Sequence, residues 1–489
     1  MAEQNRAKLN PNRPRLRTLE ATDEERHASW FELFFDLVFV LAVSKIAQIL
    51  AGNSDFYGMA KFIALFIPVW WTWNGFTFYA DRFENDDKVY RVLMFAAMFA
   101  VSTLALCLGG AFTAEGDTAF VVCYVVVRII LIALYLRSAY HIPVARSLCF
   151  GYIKGFAPAA VLWLVSLFVP LPFRYAIWAI SILVELVTPI FNTRQIRMIP
   201  FDQSHIPERF GLFTIIVLGE AVVATANGVS QNDWNFSTIS MAAIGFAMAA
   251  AVWWINFDFV EDNAIKSQKT TARFIYLYAN FFIVSSIVAL GIGVEHAIKE
   301  TFEPHLHTPT LMLFGISIAV LSAAITVVKL AAENCNLFYA RIGAIFVSLA
   351  LIFAGQFLPP IVTMLLFFGL LAAGVWLETN YDELSGEVTD AITPCEHQDE
   401  MKIYTPNSTD GCEECVKNNY KWVHLRLCLS CGHVGCCNSS VYNHAEKHSH
   451  AENHPIIASL EADENWAYCY VDERFVPLLK TIENQENKT

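Results

Sequence analysis

Cysteine and histidine residues with the spacing of metal ligands are concentrated near the end of the 489-residue chain. Eight of the twelve cysteines and seven of the thirteen histidines lie at or beyond position 395. The candidate ligands are two Cys-x-x-Cys pairs, two adjacent cysteines and three histidines: Cys412, Cys415, Cys428, Cys431, Cys436, Cys437, His444, His448 and His454. Zinc binds four such ligands in a tetrahedron, so nine candidates suffice for two complete structural sites. Redox chemistry at the Cys-x-x-Cys pairs would not need the histidines.

Ionisable side chains inside long apolar runs form a second group of candidates. The run from Trp30 to Gly52 is long enough to cross a hydrocarbon core as one helix, yet it contains Glu32 and Asp36. A charge placed in lipid costs about 2.5 kcal/mol or more unless it faces protein or water. This helix is therefore predicted to have an inward face.

Three further charges, Arg128, Glu185 and Glu220, lie in later apolar runs. Arg128 stands near the middle of its run and needs a carboxylate or a wet cavity, and we expect it to meet Asp36 or Glu220. Two interpretations stay open for these residues and Glu32. They could line a path for an ion, a proton or a small solute, or they could form buried ion pairs that only fix helix packing.

The composition indicates a membrane protein, because 55% of the residues are hydrophobic, 16% are charged and the mean hydropathy is +0.43. Contact with a lipid bilayer follows. The net charge of −13 is spread over loops and tail without a basic patch, which excludes nucleic acid as a partner.

Twelve apolar runs predict about twelve transmembrane helices in an all-α polytopic fold. They lie at residues 30–52, 58–80, 90–112, 117–139, 145–169, 173–192, 209–229, 235–259, 272–297, 308–330, 339–357 and 360–378. Nineteen lysines and arginines flank these runs on the N-terminal side and three on the other side, which marks the N-terminal side as cytoplasmic. An even number of spans returns the cysteine-rich end to the cytoplasm, where thiols stay reduced and bind metal.

A weak internal repeat indicates that the helices form two six-helix parallel repeats. Phe31-Glu32-Leu33-Phe34 is similar to Phe210-Gly211-Leu212-Phe213. The Trp-x-x-Asn pattern that ends at Asn74 occurs again with its end at Asn256. Two matches in the same order favour duplication, and parallel repeats tend to place a site or pathway between the halves.

Residues 28 to 380 resemble the bacterial low-temperature-requirement protein A family. The resemblance rests on ELFFDLVFV at Glu32 to Val40, on the Trp/Asn segment at 70 to 74, and on Glu208-Arg209-Phe210 followed by VLGE ending at Glu220. It implies a multi-pass protein of the bacterial inner membrane and specifies no biochemical activity.

Residues 394 to 476 resemble the ubiquitin-specific-protease type zinc finger, through WVHLRLCLSCGHVGCC and HPIIASLEADENWAYCYVDE. The resemblance implies a small α+β domain with cross-braced sites: Cys412 and Cys415 with His444 and either Cys436 or Cys437, and Cys428 and Cys431 with His448 and His454. Some members bind a third zinc. Cys395, His397 and Cys469 match its ligands, while a cysteine expected near Ala467 is absent.

The same resemblance implies a pocket for the free C-terminus of a peptide. Trp422, Trp466 and Tyr468 match its aromatic positions, but Asn438 stands where the family has the arginine that binds the carboxylate. A lost charge-assisted hydrogen bond weakens binding by about 1.5–3 kcal/mol, so ubiquitin itself is not expected. From Cys395 onward the chain has 8 Lys/Arg against 15 Asp/Glu, which favours a protein partner over nucleic acid.

These observations divide the chain into a cytoplasmic arm (1–29), a transmembrane domain (30–379), an acidic linker (380–393), a zinc finger (394–477) and a tail (478–489). Two functions remain open. The chain is either a transporter or channel for an ion, proton or small solute, or a membrane-anchored adaptor whose zinc finger binds a protein C-terminus. An enzyme is not expected, because complete zinc sites leave no open position for a catalytic water.

Overall fold

The computed structural model describes residues 14–16, 29–84, 87–113, 115–199, 205–259, 270–332, 337–391, 395, 397, 405–418, 420–438, 440, 442–461, 466–471 and 474–476. They belong to two compact units, Met1–Tyr381 and Asp382–Thr489. The predicted tail at 478–489 and most of the predicted arm at 1–29 lie outside the described residues.

The first unit is a bundle of long helices, which confirms the predicted all-α polytopic fold. The helices are α1 (Trp30–Gly52), α2 (Phe56–Arg82), α3 (Lys88–Cys107), α4 (Asp117–His141), α5 (Arg146–Ser166), α6 (Phe173–Phe191), the short α7 (Thr193–Met198), α8 (His205–Ser230), α9 (Phe236–Phe259), α10 (Thr270–Lys299), α11 (Thr308–Ala331), α12 (Phe338–Ala354) and α13 (Pro360–Ala391). Since α13 continues to Ala391, the predicted linker at 380–393 begins as helix.

Eleven helices in the described part of the chain are long and apolar enough to cross a membrane. The twelfth predicted span, at 58–80, is α2, which has 27 residues and so has the length of a span. Its tryptophan, tyrosine and asparagine side chains lower its hydropathy, and most of them are buried within the bundle. Because these polar groups face protein rather than lipid, α2 fits the predicted series of spans.

Helix α1 has the inward face that its charges require. Ser29 caps it: the Ser29 hydroxyl accepts a hydrogen bond from the Glu32 N–H, and the Glu32 carboxylate accepts one from the Ser29 N–H. Phe35, Phe39 and Val43 are buried at intervals of four residues, and Asp36 lies on the same stripe. The helical spacing of the buried residues and the cap at Ser29 therefore both orient Glu32 and Asp36 toward the interior of the protein.

The two halves of the bundle show the same order of helix contacts. In the first half α1 packs against α2 and α3, α3 against α4, and α4 against α5. In the second half α8 packs against α9 and α10, α10 against α11, and α11 against α12. Both α1 and α2 contact α8 and α10 across the interface. This is the arrangement expected of two repeats with a shared interface.

The second unit is a small α+β domain. Its five strands are β3 (Leu425–Cys428), β4 (Val434–Cys436), β5 (Ile456–Ser459), β6 (Ala467–Cys469) and β7 (Arg474–Val476), joined antiparallel in the order β4-β3-β5-β6-β7. Two short helices accompany the sheet: α14 (Glu413–Asn418) precedes β3, and α15 (His444–Glu452) lies between β4 and β5. In the first unit, β1 (Arg15–Leu16) pairs with β2 (Phe83–Glu84), which attaches part of the arm to the end of α2.

Candidate functional site

The first cluster of metal-binding side chains joins α14, β4 and α15. Cys412 directly precedes α14 and Cys415 lies within it, Cys436 ends β4, and His444 begins α15. The three sulfur atoms lie 3.3, 3.3 and 3.4 Å from His444 Nδ1, and the Cys415 and Cys436 sulfurs are 3.9 Å apart. A zinc tetrahedron with bonds of 2.0–2.3 Å has edges of roughly 3.5 Å. The donors therefore fit one zinc ion.

The second cluster consists of Cys428, Cys431, His448 and His454, whose donor atoms all lie within 4.8 Å of one another. His448 Nε2 is 3.2 Å from the Cys431 sulfur and 3.2 Å from His454 Nδ1. Cys428 ends β3 and Cys431 lies in the turn before β4, while His448 lies in α15 and His454 follows that helix. Two thiolates and two imidazoles again form a set that suits tetrahedral zinc.

A third group, Cys395, His397 and Cys469, holds three donors. His397 Nδ1 is 3.9 Å from the Cys395 sulfur and 3.7 Å from the Cys469 sulfur. Cys395 and Cys469 are buried in the core of the domain. Ala467 is buried on β6 at the place where a fourth cysteine was expected, so among the described residues this group is one ligand short of a tetrahedron.

Cys437 does not join the cluster that contains its neighbour. Its sulfur lies 3.5 Å from the Ser440 hydroxyl, and its N–H donates to the His424 carbonyl. Successive residues of a strand point to opposite faces, so only one of two adjacent cysteines can face the same metal. The choice between Cys436 and Cys437 that the sequence left open falls on Cys436.

Burial makes the unmetallated cysteines poor ligands. It raises the pKa of the Cys428 thiol to about 11 and raises the pKa of Cys412 as well. It lowers the pKa of His448, and the neighbouring His433 and His454 lower it further, which favours the neutral ring that a metal requires. A divalent cation reverses the effect on the thiols, because its charge stabilises the thiolates. The donor chemistry thus fits bound zinc.

His433 links the two four-donor clusters and was not predicted. Its Nε2 lies 2.8 Å from a Glu414 carboxylate oxygen, and its ring stacks on His448 with centroids 4.0 Å apart. Burial opposes ionisation of Glu414, but the hydrogen bond with His433 holds the pKa of Glu414 below its usual value. Such outer partners orient metal ligands.

Aromatic side chains lie along β6 on one face of the small sheet. Trp466, Tyr468 and Tyr470 alternate with the buried Ala467 and Cys469, so they share the opposite face. The Tyr470 hydroxyl donates to Asn438 Oδ1 at 2.9 Å, and the rings of Tyr468 and Tyr470 are 5.5 Å apart. The structure therefore brings Asn438, Tyr468 and Trp466 together along this face.

Arg426 places a cation on this face, and sequence reasoning missed it. Its guanidinium lies 4.6 Å from the Trp466 ring and donates to the Ser459 hydroxyl at 3.0 Å. Trp422, predicted for the same pocket, instead packs on Gly411 and on the cluster of Cys412, Cys415 and Cys436. Gly411 has φ +128°, and a side chain there would collide with the Trp422 ring.

In the membrane unit, a buried charge network joins α1 of the first half to α8 of the second. Arg209 donates to both oxygens of Asp36, at 2.6 and 3.2 Å, and lies 3.2 Å from Glu32. The Trp73 indole also donates to Asp36, at 2.8 Å. All four side chains are buried. One guanidinium thus pairs with two carboxylates, of which Asp36 also accepts from the Trp73 indole and Glu32 from the Ser29 cap.

His205 extends this network toward α2. Its Nδ1 lies 2.9 Å from Asp81, and its Nε2 lies 3.6 Å from Glu32. Neither Arg209 nor His205 was predicted as a site residue. Two signals in the sequence could have found Arg209. It belongs to the Glu208-Arg209-Phe210 motif, and the two acids of α1, Glu32 and Asp36, need a buried base from another helix.

Arg128 pairs with Glu185, so the expectation that it meets Asp36 or Glu220 is wrong. Arg128 Nη2 lies 2.5 Å from Glu185, and the Tyr124 hydroxyl bridges them by donating to Glu185 at 2.7 Å and accepting from Arg128. These residues come from α4 and α6, both in the first half. The reason is topological: α4 packs within its own half, whereas Asp36 lies at the interface between the halves.

Glu220 takes a third position. It is half-buried on α8 and forms a hydrogen bond with Ser44 of α1. The five predicted path residues thus fall into three places: Glu32 and Asp36 with Arg209, Arg128 with Glu185, and Glu220 with Ser44. The structure does not bring them into one row.

Comparisons with known proteins assign both units to families. The model of the bacterial low temperature requirement A protein family matches residues 27–376, and that of the zinc finger in ubiquitin hydrolases and other proteins matches residues 412–480. The chain is 25% identical over 301 residues to the uncharacterized protein RA0937 of Rhizobium meliloti (strain 1021), which covers 58% of this chain and 72% of that protein.

A solved structure is also similar: the solution NMR structure of protein RPA1320 from Rhodopseudomonas palustris, at 47% identity, covering 18% of this chain and 84% of that one with a TM-score of 0.17. The match to the low temperature requirement A family model, at residues 27–376, spans most of the 489 residues and agrees with the bounds of the helical unit. The match to the zinc-finger model, at residues 412–480, covers the two four-donor Cys/His clusters. The chain belongs to the bacterial low temperature requirement A protein family and carries a zinc finger of the ubiquitin-hydrolase type.

Proposed function

We propose that the membrane unit is a transporter or channel that moves an ion, a proton or a small solute along the interface of its two halves. The observation that carries the proposal is the buried network of Glu32, Asp36 and Arg209. It connects the first helix of one half to the first helix of the other, and any relative movement of the halves must rearrange it. Intramembrane charges at such an interface usually serve transport.

Within this proposal the acids have different roles. Glu32 and Asp36 hold the interface through Arg209, and the half-buried Glu220 takes up the cation or proton. Arg128 and Glu185, whose described partners all lie in the first half, fix helix packing. The protein lies in the inner membrane with both termini in the cytoplasm, which the excess of cationic residues on the N-terminal side supports. It has no catalytic activity of its own.

Flux in liposomes tests the proposal. Purified protein is reconstituted, and proton and cation flux are followed in wild type, Asp36→Asn and Glu220→Gln. Each variant removes a charge but keeps the side-chain shape, and a charge-assisted hydrogen bond is worth enough for flux to fall about tenfold or more. Arg146→Gln is the matched control, because Arg146 is an exposed arginine away from both networks. Equal flux in all four proteins, or no flux in any, would reject the proposal.

For the zinc finger we propose two tightly bound zinc ions and a weaker third. The first is held by Cys412, Cys415, Cys436 and His444, and the second by Cys428, Cys431, His448 and His454. The third is held by Cys395, His397 and Cys469, which lack a fourth protein ligand among the described residues and so bind less tightly.

A second candidate function, a membrane-anchored adaptor that binds a protein C-terminus, is favoured by Arg426. The family's arginine is absent at Asn438, but Arg426 places a guanidinium over Trp466 on the aromatic face. A guanidinium next to aromatic rings can bind a carboxylate and the chain that precedes it. This role does not exclude transport by the membrane unit.

Peptide binding by the full-length protein checks the adaptor function. We expect a library of Gly-Gly-ended peptides with free C-termini to bind about tenfold or more tightly than the same peptides amidated, because amidation removes the charge that Arg426 contacts. Arg426→Gln should abolish that difference, whereas Lys421→Gln, an exposed cation outside the aromatic face, should retain it. Equal binding of free and amidated peptides to wild type would contradict the role of Arg426.

A further inference from the structure

A small buried chamber lies where the two halves meet, and no predicted path residue lines it. Its walls come from α2, α4, α5, α6 and α7 of the first half and the start of α10 of the second. It encloses about 50 Å³ of open volume, room for a few water molecules or one small polar head group. Trp71, Phe78, Tyr135, Tyr152 and Phe274 give it aromatic walls.

The described lining of the chamber is cationic. It contains Arg82, Arg197 and Arg273 and no acidic residue. Arg82 is fully buried, and its guanidinium donates to the Phe78 and Ile199 carbonyls and lies over the rings of Phe78 and Tyr152. The neighbouring Asp81 directs its carboxylate to His205. Tyr152 also forms a hydrogen bond with Arg82, and Asp81 attracts it, but the described lining holds no carboxylate, so an anion in the chamber would stabilise this buried guanidinium further.

Two buried polar atoms in the chamber wall point independently to a ligand. Trp71 Nε1 and Asn74 Oδ1 have no hydrogen-bond partner, although both residues are more than nine-tenths buried. An unpaired buried donor or acceptor costs about 1–3 kcal/mol. The indole N–H is a donor suited to an anionic head group, and the amide oxygen can accept from a water or hydroxyl that accompanies it.

An apolar groove adjoins the chamber on the side of α6, α10 and α11. Its volume is about 740 Å³, and apart from Thr193, Arg197, Thr271 and Tyr278 its lining is entirely apolar. Arg197 and Phe274 line both spaces. Trp71 of the chamber and Tyr278 of the groove stack in parallel with centroids 5.9 Å apart, so this ring pair lies between the two spaces. Pockets of this volume accept drug-sized molecules.

We propose that the chamber and groove together bind a single-chain anionic amphiphile, such as a long-chain carboxylate. The head group lies in the chamber with Arg82 and the Trp71 N–H, and the alkyl chain lies in the groove. The head group is expected to be anionic, because the described lining of the chamber contains guanidinium groups and no carboxylate. The tail is expected to be an alkyl chain, because the groove has an apolar wall and adjoins the chamber at Arg197. This inference rests on the proposed transport function and names the class of solute that moves together with the proton or cation taken up by Glu220.

Photolabelling tests the site without measuring transport. The full-length protein in phosphatidylcholine nanodiscs is irradiated with hexadecanoate that carries a diazirine near the chain end, and labelled peptides are mapped by mass spectrometry. We expect label in residues 274–282 or 320–327, which line the groove. Unlabelled hexadecanoate should compete about tenfold better than hexadecanol or hexadecyltrimethylammonium, because only the acid supplies the charge-assisted bonds.

Variants distinguish the site from general lipid contact. Arg82→Gln should weaken competition by hexadecanoate about tenfold, and Trp71→Phe, which removes one N–H and keeps the ring, about threefold. Arg146→Gln, on the exposed surface, should leave it unchanged. Trp71→Phe preserves the aromatic wall and so remains informative if Arg82→Gln does not fold.

Several results would overturn the inference. Label spread over many lipid-facing helices, equal competition by acid and alcohol, or stronger competition by the two-chain phosphatidylglycerol would each reject a single-chain anion site. Flux in liposomes without specific label would reject this site and leave the transport function in place. Specific label without flux would support the site and reject the transport function.

Discussion

Removal of zinc should unfold the C-terminal unit and leave the membrane unit intact. Bound structural zinc is worth about 10–16 kcal/mol in zinc-finger peptides, far more than a small core can supply. The described core of this unit is small, and besides its cysteines it contains aliphatic side chains such as Leu427, Val434, Ile456 and Val476. Without metal, the raised pKa values of Cys412 and Cys428 keep those two thiols protonated and uncharged. The contacts that remain around α14, β4 and α15, such as the hydrogen bond between His433 and Glu414, do not replace the metal bonds.

Limited proteolysis with mass spectrometry measures this effect in the full-length protein. Addition of a chelator should open cleavage sites between residues 412 and 470 and leave the helices before Tyr381 protected. Zinc content should fall in the same titration, and acid should release the metal too, because protons compete for the thiolates and imidazoles. Protection of residues 412–470 after complete loss of zinc would contradict a structural role for the metal.

Two adjacent cysteines provide a matched pair of variants. Cys436→Ser removes a donor from the first cluster and should lower zinc content by one ion and expose the domain to protease. Cys437→Ser changes the neighbouring residue, whose sulfur faces Ser440, and should retain both tightly bound ions. Equal zinc loss in the two variants would show that the assignment to Cys436 is wrong.

Sequence patterns indicated which cysteines and histidines cluster because this information is largely local. Each Cys-x-x-Cys pair closes a turn by itself, and the donor types select the metal, so little depends on the rest of the fold. The exception was Cys436 against Cys437, where strand alternation decides which sulfur faces the metal. That choice depends on the register of β3 with β4, in which Leu425 lies opposite Cys436.

Partners of the intramembrane charges could not be predicted in the same way. Hydropathy located each helix and showed that Asp36 and Arg128 need partners, but a run of apolar residues does not say which helices are neighbours. Arg128 pairs inside its own half, and Asp36 pairs across the interface with Arg209, 173 positions further along the chain. Arg426 was missed for a related reason, since only the pairing of β3 with β5 and the chain that follows brings it to Trp466.

Charge removal at Arg128 alone should destabilise the membrane unit by about 3–5 kcal/mol, because it leaves Glu185 buried without a counter-charge. Both side chains are fully buried, and Arg128 Nη1 and Glu185 Oε1 have no hydrogen-bond partner among the described residues. The pair is therefore incompletely satisfied. Replacement of the whole triad by apolar residues, Arg128→Met with Glu185→Leu and Tyr124→Phe, should restore stability to the wild-type value or above.

Thermal unfolding in detergent, together with liposome flux, separates the two interpretations of this triad. Arg146→Met is the control: this arginine is exposed and donates only to the Ala139 carbonyl among its described partners, so its loss should change stability by about 1 kcal/mol or less. If the triad fixes packing, the triple variant folds and retains flux, while Arg128→Met alone loses stability. A stable triple variant without flux would place Arg128 and Glu185 in the path itself. Transport would then need a charge within the first half as well as the network of Asp36 and Arg209 between the halves.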